Sequence, residues 1–125
     1  MVLDRHHRKP RSLGGDNGDW NISLVPHKLH MAYHHIIGNG NPLQLASRLN
    51  CLPFLQEYYF TAIPSDHNFA KRVRFGSNGV CKKSHIILDS WNLLFGDMTT
   101  FQAVATLNAT WVDKDFYLQT FKKRK

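Results

Sequence analysis

Four histidines and one asparagine stand at intervals that could do chemistry: His6, His7, Asn21, His30 and His34. His30 and His34 are i and i+4, so on a helix both project from one face. A third imidazole meeting them there would complete a site for a divalent metal, with positions left open for water and substrate. Neighbouring residues on a strand point to opposite sides, so His6 and His7 cannot easily do the same job. One of the two can bind metal while the other stays free as a base, and imidazole has the ordinary pKa for that at neutral pH. Six of the eight histidines lie between residues 6 and 35, which is where the chemistry is concentrated. Imidazole ligands favour Zn, Ni, Co or Mn, whereas Mg prefers oxygen.

The elements that must position these residues follow from local pattern. Residues 4–11 are polar, include Pro10 and read as the strand or ribbon that opens a hairpin, and residues 12–19 read as its loop, with three glycines among Ser, Asp and Asn. From Asn21 to Val25 apolar and polar residues alternate as in a short strand. Pro26 suits the first turn of a helix and Gly38 its end, and between them Leu29, Tyr33, Ile36 and Ile37 form one apolar face. His30 and His34 sit at the edge of that face and so look toward the hairpin that carries His6. A second helix is expected over Pro42–Asn50, with Asn41 as cap, Pro42 at its first position and Gln44 completing a capping box. In residues 51–80, Phe54, Tyr58, Tyr59 and Phe60 suggest buried aromatics, while residues 64–66 and 76–79 mark turns. That stretch receives no further assignment.

The last third repeats the first helix pair. Residues 32–50 align without a gap on residues 90–108, an offset of 58. Gly38 meets Gly96, Gln44 meets Gln102, Leu49 and Asn50 meet Leu107 and Asn108, and Tyr33 meets Trp91. Thr99 and Gln102 form a capping box in the place of Asn41 and Gln44. His30 corresponds to Leu88 and His34 to Asn92, so the second copy keeps the packing residues and lacks the histidines. The comparison separates structural from chemical positions within one sequence.

The run of residues 6–15, beginning His6-His7 and ending Gly14-Gly15, followed by Asn21 and by His30-x-x-x-His34, resembles the HNH, or ββα-metal, endonuclease family. The resemblance covers about a third of the chain. It implies that His6, His30 and His34 are metal ligands, that His7 is the general base activating the attacking water, and that Asn21 fixes the hairpin loop and so orients the base. Pro10 and Gly14-Gly15 match a proline and a glycine-rich turn common in the family. The implied activity is single-metal hydrolysis of phosphodiester bonds, of DNA in preference to RNA, with one divalent ion (Zn, Ni, Mn or Mg) as cofactor. The zinc-knuckle cysteines of some relatives are missing, and the repeated helices are expected to brace the motif instead.

Composition agrees with such a partner. Sixteen Lys and Arg against nine Asp and Glu give a net charge of +7, and the pI is near 9.7. Such a surface attracts polyanions, of which nucleic acid is the commonest. Arg5, Arg8, Lys9 and Arg11 flank the motif and are candidate phosphate contacts. The basic tail of residues 122–125 could add to them, whereas His27, His35, His67 and His85 receive no role. Cys51 and Cys81 offer neither a CxxC zinc site nor a disulfide framework. A hydrophobic content of 42% is enough for a real core, and no apolar run reaches membrane-spanning length. The expected protein is cytoplasmic and α+β. Its motif and following helix occupy residues 1–50, and a mainly helical extension over residues 51–125 packs on them in one compact domain. The competing reading is a catalytically inactive HNH-like module that binds nucleic acid around a structural metal.

Overall fold

The computed structural model of the chain describes residues 2–65 and 84–123, the second stretch with side chains from Ile87 onward. Among these residues four strands and four α-helices follow one another: β1 (Leu3–His7), β2 (Ile22–Pro26), α1 (His27–Ile37), α2 (Pro42–Asn50), β3 (Tyr58–Pro64), α3 (Ser84–Phe95), α4 (Thr100–Thr106) and β4 (Phe116–Lys122). A π turn, Leu107–Trp111, continues α4. The class is α+β, with two separate two-stranded antiparallel sheets, β1–β2 and β3–β4.

The N-terminal elements form where turn chemistry and capping place them. In the first hairpin His6 pairs with Ser23 and His7 with Ile22. Alternation then turns Asp4, His6, Ser23 and Val25 toward the interior, whereas Leu3, Arg5 and Leu24 face out. Helix α1 starts after Pro26 and stops at Gly38, whose φ of 67° is readily reached only without a Cβ. Helix α2 has the expected bounds and the full Asn41–Gln44 capping box.

The described part of the extension is not mainly helical throughout, because β3 and β4 form a second sheet beside its helices. These strands are themselves repeat equivalents, since an offset of 58 carries the ends of β3 onto the ends of β4. At the centre of their pairing Thr61 faces Gln119, its own equivalent. The sheet is therefore symmetric about that pair. Helices α1 and α3, also equivalents, pack on each other. The Asn50 side chain bonds both the amide and the carbonyl of Phe60, and Asn108 does the same to Leu118. Two helix–helix–strand units thus face each other across a pseudo-two-fold axis, and the seam between them falls after β3.

One core joins the units. Val25, Tyr33, Ile36, Leu45, Leu49, Phe60, Trp91, Leu107, Trp111 and Leu118 are buried in a single cluster that draws on both copies. Among the described residues no helix is long and apolar enough to cross a membrane. The expected turn at residues 76–79, Cys81, His67, the side chain of His85 and the last two residues of the tail lie outside the described part.

Candidate metal centre and basic cleft

β1 delivers His6 to the inner face of the first hairpin, and α1 delivers His30 and His34 one turn apart on the side that packs against it. One ring nitrogen from each of the three lies within 4.8 Å of the other two. The remaining ring nitrogens show which atoms are free. His6 Nε2 donates to the Trp111 carbonyl at 2.7 Å, and His34 Nδ1 donates to the Gly38 carbonyl at 2.8 Å. His30 Nδ1 faces the Asp4 carboxylate at 3.0 Å. Carbonyl and carboxylate oxygens can only accept, so these three nitrogens carry the protons. In the neutral rings the lone pairs are then on His6 Nδ1, His30 Nε2 and His34 Nε2, the last two 3.0 Å apart.

This arrangement fits a divalent ion. His6 Nδ1 is buried and has no hydrogen-bond partner among the described residues, which is costly for a polar atom unless something occupies the space it faces. His30 Nε2 and His34 Nε2 stand 3.0 Å apart, and in the neutral rings neither has a proton to share. Each ring is also backed by an acceptor that fixes its tautomer, the usual outer support of an imidazole ligand. Burial pushes His6 down to about 4, with the neighbouring His30 and His34 adding to the effect. Burial likewise lowers His34. Both rings are thus held in the neutral form that ligation requires.

The structure brings the other expected residues to the same place in different ways. His7 lines the cleft beside the cluster, and its Nε2 meets Asn17 Oδ1 at 2.8 Å. That bond puts the proton on Nε2 and leaves Nδ1 as the basic atom. Asn21 is fully buried, and its amide bonds the Lys9 N–H, the Lys9 carbonyl and the Asp16 carbonyl at 2.7, 3.0 and 2.9 Å. It therefore staples the loop that carries Asn17. Gly15 is required by the same staple, since a Cβ there would lie 1.7 Å from the Lys9 carbonyl oxygen.

The cleft holds about 270 Å³, and its wall includes Arg5, His7, Arg8, Arg11, Ser12 and Asn39 along with the three clustered histidines. Arg5 and Arg11 are exposed and reach it as charges. Arg8 reaches it too, but its guanidinium is occupied, with Nε on the Val112 carbonyl at 2.8 Å, Nη1 on the Ala109 carbonyl at 3.0 Å and Nη2 on the Asn108 carbonyl. Lys9 pairs at 3.4 Å with Asp115. Of the four basic residues expected at phosphates, two therefore have their side chains engaged within the protein.

Three contributors escaped the sequence reading. Asp4 supports His30, and its carboxyl is held below the ordinary range by the bonds from His30 and His27. His27, given no role, reaches the same carboxylate oxygen at 2.7 Å. The alternation Asp4–His6 on one strand face was the available signal. Trp111 supplies the carbonyl for His6 and stacks its ring on Tyr33 at 4.8 Å and 17°. No sequence signal points to that contact, because it joins residues 105 positions apart.

No family model matches this chain, and neither a curated protein nor a solved structure matches it.

Proposed function

We propose that this protein is a metal-dependent endonuclease that hydrolyses phosphodiester bonds of DNA. The observation that carries the reading is the convergence of three imidazoles, one ring nitrogen of each within 4.8 Å of the others, beside a separate histidine in a basic cleft. His6, His30 and His34 would hold one divalent ion. Such an ion, when bound, supplies positive charge against a phosphate oxygen and the leaving oxygen, undiminished by its neutral ligands. His7 takes the proton of the attacking water at Nδ1, the nitrogen that its bond to Asn17 leaves without a proton. Asn21 keeps the loop closed behind Asn17. Arg5 and Arg11 hold the phosphates on either side and set the register of the strand. The HNH resemblance, carried by the residues quoted above, supports the same assignment.

The test is plasmid nicking by wild type and His7→Ala, first in EDTA and then with Zn, Ni, Mn or Mg restored. Metal-dependent nicking by wild type, and its loss in a variant that still binds metal, is the expected result. Equal nicking by both proteins, or none by either, would refute the assignment.

A further inference from the structure

We propose that Arg8 is a positioning residue of this cleft, locked to the π turn of the second repeat, and not one of its phosphate contacts. The proposal rests on the endonuclease reading and adds to it the device that holds the cleft together.

Five consecutive carbonyls, from Asn108 to Val112, are all taken by side chains of the first hairpin. Arg8 accounts for those of Asn108, Ala109 and Val112. Ser23 Oγ takes that of Thr110 at 2.7 Å, and His6 Nε2 takes that of Trp111 at 2.7 Å. They are free because α4 widens into a π turn, closed by Val112 N–H on the Leu107 carbonyl at 2.9 Å, and the chain then leaves in extended form. The last carbonyls of a helix have no amide ahead of them and must be satisfied from elsewhere. A guanidinium, planar and with five fixed N–H groups, can span three of them at once.

The position of Arg8 gives this contact its leverage. It follows His7 directly and lies two residues after His6, and its own N–H closes on the Asn21 carbonyl at 2.8 Å. The residue is only 8% exposed. Base, ligand and loop staple therefore share one anchor in the second repeat. The unit that lacks the histidines provides the backing against which the other unit aims them.

The two roles predict different measurements on the full-length protein. Cobalt(II) titration reads the three-histidine site through its visible absorption, and the salt dependence of duplex DNA binding in EDTA counts phosphate contacts. Arg8→Lys keeps the charge and cannot span three carbonyls. It is expected to weaken Co(II) binding about tenfold, to alter the absorption bands, and to lower kcat with little change in KM. The slope of log affinity against log salt should stay at the wild-type value. Arg11→Ala, by contrast, should lower that slope by about 0.9 with Co(II) binding intact. A wild-type Co(II) spectrum and affinity in Arg8→Lys would overturn the proposal, as would a slope lowered by about 0.9 in Arg8→Gln, which removes the charge. Should Arg8→Lys fail to fold, Ser23→Ala removes only the Thr110 bond. A several-fold loss of Co(II) affinity there supports the shared anchor, and wild-type affinity overturns it. Wild-type protein that takes up no Co(II) would overturn the metal site itself and this proposal with it. Co(II) uptake without DNA cleavage would overturn only the endonuclease reading.

Discussion

His30 Nε2 and His34 Nε2 lie 3.0 Å apart, and each ring has its proton on the far side, at Asp4 and at the Gly38 carbonyl. Two lone pairs at that distance repel unless a cation lies between them. Protonating His34 would serve, but burial and the neighbouring histidines oppose a charge there. A metal ion relieves the repulsion without that cost, and it also gives the buried His6 Nδ1 a partner. The pair is best understood as an arrangement held ready by its outer contacts.

Metal should therefore stabilise the fold. A ligand present at one hundred times its Kd adds about 2.7 kcal/mol, which for a chain of this size raises Tm by roughly 8–15 °C. Differential scanning calorimetry with and without EDTA should show that shift in wild type. His34→Ala should lose most of it, because one of three ligands is gone. An unchanged Tm in wild type on adding Zn, Ni, Co and Mn in turn would count against a built site.

Acid should destabilise the metal-free protein in a defined window. His6 has an ordinary pKa of 6.5 that burial lowers to about 4 in the fold. Between those values the unfolded chain binds the proton and the folded one does not, so stability rises with pH. On acidification the loss starts near pH 6.5 and is complete near pH 4, and its full size is on the order of 3 kcal/mol. Urea titrations in EDTA at pH 7, 5.5 and 4.5 measure it. His6→Gln should flatten the dependence, and an equally steep dependence in that variant would show that other groups cause it.

Gly15→Ala should disable the loop. Its Cβ would lie 1.7 Å from the Lys9 carbonyl oxygen and 2.9 Å from Asn21 Nδ2. Both atoms belong to the staple, so relief requires breaking it. A loss of about 2 kcal/mol or more is expected from thermal melts, with cleavage reduced further still. Gly14→Ala provides the contrast, since nothing crowds a Cβ there and only its φ of 94° opposes the change.

Much of this was legible in the sequence where the signal is local. The Asn41–Gln44 box and Pro42 specify α2 to the residue, and the repeat is visible from matched glycines, glutamines and asparagines. The histidine cluster could be read because i, i+4 spacing and strand alternation already decide which way side chains point. Strand β3 was obscure because Phe60, Thr61 and Ala62 are all buried, so alternation vanishes at the symmetry axis. The π turn has no composition of its own, as it is defined by which amide its carbonyls find. Arg8 was assigned to phosphate because burial of a charged side chain depends on a partner 100 residues away. Asp4 was overlooked for the same reason, since its role exists only once α1 has folded back on β1.

The two loop asparagines should separate stability from activity. Asn21 is buried with three bonds to main-chain groups, and truncation leaves an amide and two carbonyls unsatisfied, at about 1–3 kcal/mol for each buried group that finds no water. Asn21→Ala should therefore lower Tm strongly and lower activity through the collapse of the loop. Asn17 is exposed, and its one described bond goes to His7. Its loss should leave Tm within about 1 °C, because exposed groups return to water at little net cost. The His7 ring, released, would no longer be held in one tautomer and one orientation. Asn17→Ala should thus lower kcat by about tenfold to a hundredfold, within the range of a general base, while Co(II) binding and KM stay near wild type. Asn17→Asp restores an oxygen acceptor and should recover part of the rate with a more basic pH profile, since a carboxylate beside the ring favours its protonated form. Full activity in Asn17→Ala would mean that Asn21 alone holds the base in place.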